Sequence, residues 1–162
     1  MSEPSVASLL ADEYLLLQKR IEEFDARLLT IKAWSVSFAA AAIGLAWQQS
    51  SPRLLLVSAI SACAFWMVET VVKTHQRAHY PRLSVIEDHF AGRCNTPPMQ
   101  ISASWRAASE AKGRLGRYLT HARYANVCLP HVLIAALALG LFFLAPPVKE
   151  PVRQPRLSIL FN

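Results

Sequence analysis

Charge is scarce in this sequence, and the scarcity is local. Asp, Glu, Lys and Arg make up 17% of the residues and hydrophobic residues 53%, a balance shifted away from that of soluble domains. No charge occurs from Ala33 to Trp47, and a single one, Glu69, from Leu54 to Val72. The sequence also has no glycine-rich phosphate loop, no nucleophile motif and no carboxylate pair placed for acid–base work. Glu87 and Asp88 are adjacent and therefore point to different sides of a helix. Cysteine is sparse too. Cys63, Cys94 and Cys128 lie far apart, in no zinc or disulfide spacing, and read as small hydrophobes. The polar, acidic beginning of the chain does not have the form of a secretory leader. These absences point away from an enzyme and lead us to expect no catalytic residue, no cofactor and no metal.

Three apolar blocks stand in place of those features. A helix needs about 20 mostly apolar residues to cross a bilayer core. Residues 31–72 supply two such runs, broken at Ser50-Ser51-Pro52-Arg53. Residues 127–145 supply a third, which contains Pro130 and is closed by Pro146-Pro147. Backbone groups in hydrocarbon must be paired within the segment, so each block is expected to be helical. The expected fold is all-α and integral to a membrane, with a two-helix transmembrane hairpin over 31–72 and a third span over 127–145. Two spans with a buried third helix is the alternative. An amphipathic helix over 1–30, a basic helical segment over 73–126 and a proline-rich tail over 146–162 complete the chain.

The distribution of charge sets the expected orientation. Residues 1–30 carry three basic and six acidic groups, whereas residues 73–126 carry nine basic against three acidic. The basic pole should face the cytoplasm. Two crossings earlier the N-terminus is cytoplasmic as well, and the hairpin tip with Arg53 is outside. The basic segment reads first as this topological bias together with attraction to anionic headgroups. It contains no recognised nucleic-acid-binding module.

Leu9, Leu10, Tyr14, Leu17, Ile21, Phe24 and Leu28 recur at three- and four-residue steps and predict one amphipathic helix from Pro4 to Leu29, with Ser8 as a candidate cap. Asp12, Glu13, Lys19, Glu22, Glu23 and Asp25 mostly fall on its other side. An acidic helix suits protein better than anionic lipid, and the segment 73–126 is its electrostatic complement, in the same chain or the next. In the first span Lys32 can snorkel to the interface, Trp34 and Trp47 stand near the boundaries, and Ser37, Ala40, Ala41 and Gly44 form a small-residue face for close helix packing. The second span has a comparable face at Ser58, Ala59, Ala62 and Cys63. Glu69 has two readings: an interfacial pair with Lys73 at i,i+4, or a pore-lining group.

Beyond the second span the helix is expected to continue to His79 and to end or kink at Pro81. His75 and His79 share a face at i,i+4 but have no evident third metal ligand. A short helix follows over Arg82–Phe90, with Gly92 as its stop. A longer one is expected from Ser102 or Ser104 through Tyr124 and on into the third apolar block. Arg106, Arg114, Arg117, His121 and Arg123 make that helix a candidate contact for a cytoplasmic partner or for lipid. The spacings of Arg82 to His89, and of Arg114 or Arg117 to His121, have the general form of the arginine–histidine pairs in HEPN-class ribonucleases, a weaker reading than a solvated basic helix.

Two stretches flank the hairpin: Glu13-Tyr14-Leu15-Leu16-Leu17-Gln18-Lys19-Arg20-Ile21 before it, and Arg82-Leu83-Ser84-Val85-Ile86-Glu87-Asp88-His89-Phe90-Ala91-Gly92 after it. With the hairpin, over residues 8–92, this arrangement resembles the small bacterial membrane proteins of the SLATT type. The resemblance implies an inner-membrane location and a pore-forming effector role in anti-phage defence. It carries over no functional residue, and the third apolar block and the tail depart from a plain two-span pattern. The expected function is therefore that of a self-associating, non-enzymatic membrane protein, with Ser37, Ala40, Ala41, Gly44, Glu69 and Lys73 as candidates for its pore or its interface. The alternative is an accessory or scaffold subunit of a larger membrane complex.

Overall fold

A computed structural model describes residues 4–110 and 113–147, apart from the side chain of Arg114. All regular structure among these residues is helical. The order is α1 (Val6–Gln48), α2 (Arg53–Arg77), α3 (Tyr80–Phe90), α4 (Ile101–Glu110), α5 (Arg114–Ala122) and α6 (Ala125–Leu144). Three of the helical runs are long and apolar enough to cross a membrane.

The 43 residues of α1 extend for about 64 Å at 1.5 Å per residue, roughly twice a bilayer core. A single seam runs its whole length. Leu10, Leu17, Ile21 and Leu28 are buried in the first half, and Ser35, Ala39, Ala42 and Ala46 in the second. The steps of three and four carry across both halves, as in a helix that keeps one stripe against a neighbour. That neighbour, for much of its length, is α2. On α2 the facing stripe is Leu55, Ser58, Ala59 and Ala62, followed by Glu69, Thr70, Lys73 and Gln76. Small residues on both helices let them approach closely in the apolar layer, while larger and polar side chains fill the rest.

Within the chain this seam does not use the small-residue face singled out in the sequence. The packed small-residue face of α1 is Ser35-Ala39-Ala42-Ala46, whereas Ser37, Ala40, Ala41 and Gly44 are exposed. On α2, Ser58, Ala59 and Ala62 are buried as expected, and Cys63 faces outward. The hairpin turn closes with Ser50 at φ +50°. Across it the Ser51 N–H donates to the Ala46 carbonyl at 2.9 Å, a helix-ending bond of the Schellman kind.

At the opposite end α3 folds back against the start of α1. Pro81 sits in the first turn of α3, where its missing N–H costs nothing. Gly92 takes φ +72° after that helix ends, a conformation that glycine adopts freely. Leu10, Leu17 and Ile86 form a small core with Tyr14, Leu83 and Ile101 against it. The acidic first helix thus finds its apolar partner within its own chain. Its cap is Ser5 rather than Ser8, with the Ser8 N–H donating to the Ser5 hydroxyl at 3.1 Å.

A buried ion pair fastens this layer. The Arg82 guanidinium donates through Nε to Glu13 Oε1 at 2.8 Å and through Nη2 to Glu13 Oε2 at 2.9 Å. It also donates to the Thr96 hydroxyl and the Pro97 carbonyl. Glu13 in turn accepts from the Met99 and Gln100 N–H groups, at 2.8 and 3.2 Å, just ahead of α4. A carboxylate there satisfies free backbone donors and suits the positive end of the helix. It also helps to hold Met99 at φ +64°. Glu13, expected among the outward-facing acidic residues, is therefore an interior group.

The single helix expected through Tyr124 is two. The interruption is at Gly113, which at ψ 135° is not helical and stands in the capping position of a helix that begins afresh at Arg114. Nor does it run on into the last span, because Tyr124 is extended at ψ 130° before α6 begins. Lys112 and residues 148–162 lie outside the described residues.

Burial would raise the Glu13 pKa, but the hydrogen bonds and charge of Arg82 and the two backbone donors outweigh it and hold the carboxyl below its ordinary 4.5. Its contribution to stability is fully present above that value and is lost as pH falls through the lower folded pKa. Glu13→Ala strands a buried guanidinium and should cost about 3–5 kcal/mol, read as an earlier thermal unfolding transition in mild detergent. Glu13→Gln should also remove part of the acid-induced loss of stability; an unchanged acid limb would show that Glu13 is not the group responsible.

Candidate functional site

Glu69 is buried at 1% exposure where α1, α2 and α6 meet. Each helix brings one or two polar groups to it. Lys32 of α1 forms an ion pair with Glu69 Oε1. His131 of α6 meets Glu69 Oε2 through Nε2 at 2.9 Å. The other ring nitrogen of His131, Nδ1, lies 3.0 Å from the Ser35 hydroxyl of α1. The result is a continuous chain, Ser35–His131–Glu69–Lys32, with the imidazole itself 1% exposed.

The donor inventory orders this chain. An ionised carboxylate only accepts, so Nε2 of His131 must carry a hydrogen. In the neutral ring Nδ1 then accepts from the Ser35 hydroxyl. A second proton on the ring would turn that bond around, with Nδ1–H donating to Ser35 Oγ. Each arrangement keeps both imidazole contacts. Lys32 balances the Glu69 charge, which in this apolar setting would otherwise be prohibitively costly.

This replaces the expected partnership. Glu69 is not paired with Lys73. Lys73 points the other way, donating to Gln76 Oε1 at 2.7 Å and lying 3.7 Å from the Asp25 carboxylate. Gln76 continues to the Ile21 carbonyl of α1 at 3.0 Å. Lys32, expected to snorkel outward, is turned in to Glu69.

The remaining candidate residues are not gathered into one site. Arg106 is on α4 and lines a cleft against α1 and α2. Arg117 of α5 reaches the Ala108 carbonyl at 3.5 Å. His121 lies 2.9 Å from the Thr74 hydroxyl, which itself donates to the Thr70 carbonyl, so Nδ1–H of His121 is the donor. Arg123 is exposed in the link to α6, and Arg114 can be placed only by its position at the start of α5. Ser37, Ala40, Ala41 and Gly44 lie on the outward side of α1, away from Glu69. In the arginine–histidine pairs, Arg82 already makes four hydrogen bonds, and Nδ1 of His89 receives the Thr96 N–H. His75 stacks on Trp105 with ring centres 5.7 Å apart, and His79 packs against Phe24. Among the described residues no cluster of three His, Cys, Asp or Glu is placed to hold a metal.

His131 is the component that the sequence reading missed. One signal was available: it is the one strongly polar side chain between Val127 and Ala145. A polar residue inside an apolar helix normally finds a partner or a function.

Removing one member of the cluster leaves another buried and uncompensated, so Glu69→Ala should cost about 3–5 kcal/mol. The triple variant Lys32→Leu, Glu69→Leu, His131→Leu removes every charge at once and should be much less damaging. Thermal melts of both variants in the same detergent test this ordering; equal losses would contradict it. No family model, curated protein or solved structure matches the chain.

Proposed function

We propose that the chain is a multi-pass protein of a bacterial inner membrane, with its N-terminus in the cytoplasm, whose copies associate and let ions pass. The observation that carries this reading is the uncovered apolar surface. Contacts within the chain bury only 28% of the most apolar stretch of α1, 33% of that in the α2–α3 run and 17% of that in α6. Leu129, Leu133, Leu137, Phe143 and Leu144 are all more than half exposed on α6 alone. Surface of this extent is covered by lipid or by other chains. The basic excess on 73–126 supports a cytoplasmic polar layer. The resemblance to SLATT-type proteins supplies the defence-effector role.

The exposed Ser37-Ala40-Ala41-Gly44 face supports self-association, because small residues allow a second helix to come close. The buried polar chain supports a link between helix arrangement and ion passage, since any movement of α6 against α1 and α2 must break or rebuild it. Exposed apolar side chains in the polar layer, Leu15 at 62% and Phe90 at 54%, favour the second reading, an accessory subunit docked to a different protein. Purification in mild detergent separates the two, as a ring of identical chains supports the first and stoichiometric foreign chains the second.

Overexpression should collapse the membrane potential, as reported by a potential-sensitive dye. Normal potential and growth at high protein levels would defeat the proposal of ion passage. For orientation, Cys94 is exposed and should react with an impermeant maleimide only after the cells are opened. In a Cys63→Ser, Cys94→Ser, Cys128→Ser background, Arg53→Cys should react from outside. Labelling of Cys94 in sealed cells would reverse the orientation.

A further inference from the structure

Beside the α1–α2 seam, from the end of the second apolar run outward, α4 leans over the two helices and leaves a cleft of about 600 Å3. Its walls are apolar: Leu16, Leu17 and Phe24 from α1, Val72 from α2, Ile101 and Trp105 from α4. Its charged and titratable groups are of one kind. Arg20, Arg106, His75 and His79 line it, and among the described residues no carboxylate does. Neither arginine has a carboxylate partner within 4 Å among the described residues. Nδ1 of His79 is buried with no hydrogen-bond partner.

We propose that this cleft binds a water-soluble organic anion: one carboxylate or similar anionic head on an aromatic or aliphatic body. Unpaired guanidinium groups recognise such a head through charge-assisted hydrogen bonds. The stacked His75–Trp105 pair and the leucines accept the body. Pockets of this type, apolar with a few convergent polar groups, are the usual form of small-ligand sites. We assign the ligand to solution rather than to the bilayer: the cleft begins at Val72, where the second apolar run ends, but Arg20 stands 12 residues before Lys32, about 18 Å along the helix, which sets the anion-binding end well away from the apolar layer. The assignment does not depend on ion passage.

Burial, the Arg20 charge and the neighbouring His75 hold the His79 pKa below its ordinary 6.5. An anion in the cleft favours the protonated ring, so affinity should rise as pH falls towards that lowered pKa.

The test uses the full chain in phosphatidylcholine nanodiscs, with 2-naphthoate as probe, its neutral amide as control and empty discs as background. Titration calorimetry should show saturable binding of the anion and much weaker binding of the amide. Arg20→Gln with Arg106→Gln should weaken naphthoate at least tenfold. Both arginines are exposed and unpaired, so their loss leaves the fold intact, as unchanged helical circular dichroism would confirm. Lys19→Gln, an exposed cation outside the cleft, should have no effect, and His79→Ala should flatten the pH dependence. Equal binding of the amide, an unchanged affinity in the double arginine variant, or no saturable binding would overturn the proposal. So would competition by phosphatidylglycerol incorporated in the discs, which would assign the site to lipid, or a cleft protected by dimer formation, which would assign it to a second copy.

Discussion

Glu69 is buried among apolar helices, where a lone carboxylate is too costly to keep, and the arrangement of three helices follows from compensating it. Lys32 neutralises the charge from α1 and His131 occupies the second oxygen from α6. Ser35 then holds the far side of the imidazole. Apart from His131, α6 presents apolar or small side chains from Val127 to Leu144, which attract without specifying rotation. The polar chain supplies that specification. Only one rotation of α6 puts His131 between Ser35 and Glu69.

The same constraint recurs in the polar layer. Arg82 and Glu13 are both buried and satisfy each other, and their remaining capacity is taken up by Thr96, Pro97 and the backbone ahead of α4. One pair thereby ties the first helix, α3 and the loop to α4 into a unit. Such pairs contribute little net stability when compared with well-packed apolar residues. Their value lies in geometry, because each is satisfied in one arrangement and penalised in others.

Between these two anchors the α1–α2 seam changes character along its length. Leu10, Leu17, Ile21 and Leu28 give way to Ser35, Ala39, Ala42 and Ala46. Large side chains fill the space between α1 and α3, and small ones bring α1 and α2 close in the apolar half, where α6 packs beside them. The cleft beneath α4 lies at the side of this seam, where Trp105 and Ile101 cover part of the gap.

The sequence by itself determined the helical class, the three apolar blocks, the break after the first of them and the stripe from Leu10 to Leu28. Each rests on local periodicity or on runs of one residue type, and these survive without knowledge of neighbours. The phase of the first span was also legible, since extending the stripe by threes and fours leads to Ser35, Ala39, Ala42 and Ala46. In an alanine-rich run, however, composition alone offers several small faces, and Ser37-Ala40-Ala41-Gly44 is an equally plain one. Tertiary structure decided the partners of the charges. Glu69 has Lys73 one turn away, yet pairs with Lys32, 37 positions distant, and with His131, 62 distant. Glu13 pairs with Arg82 across 69 positions. Local spacing says which charges can meet on one helix; only the packing of the helices says which of them are taken out of water, and burial is what makes pairing obligatory.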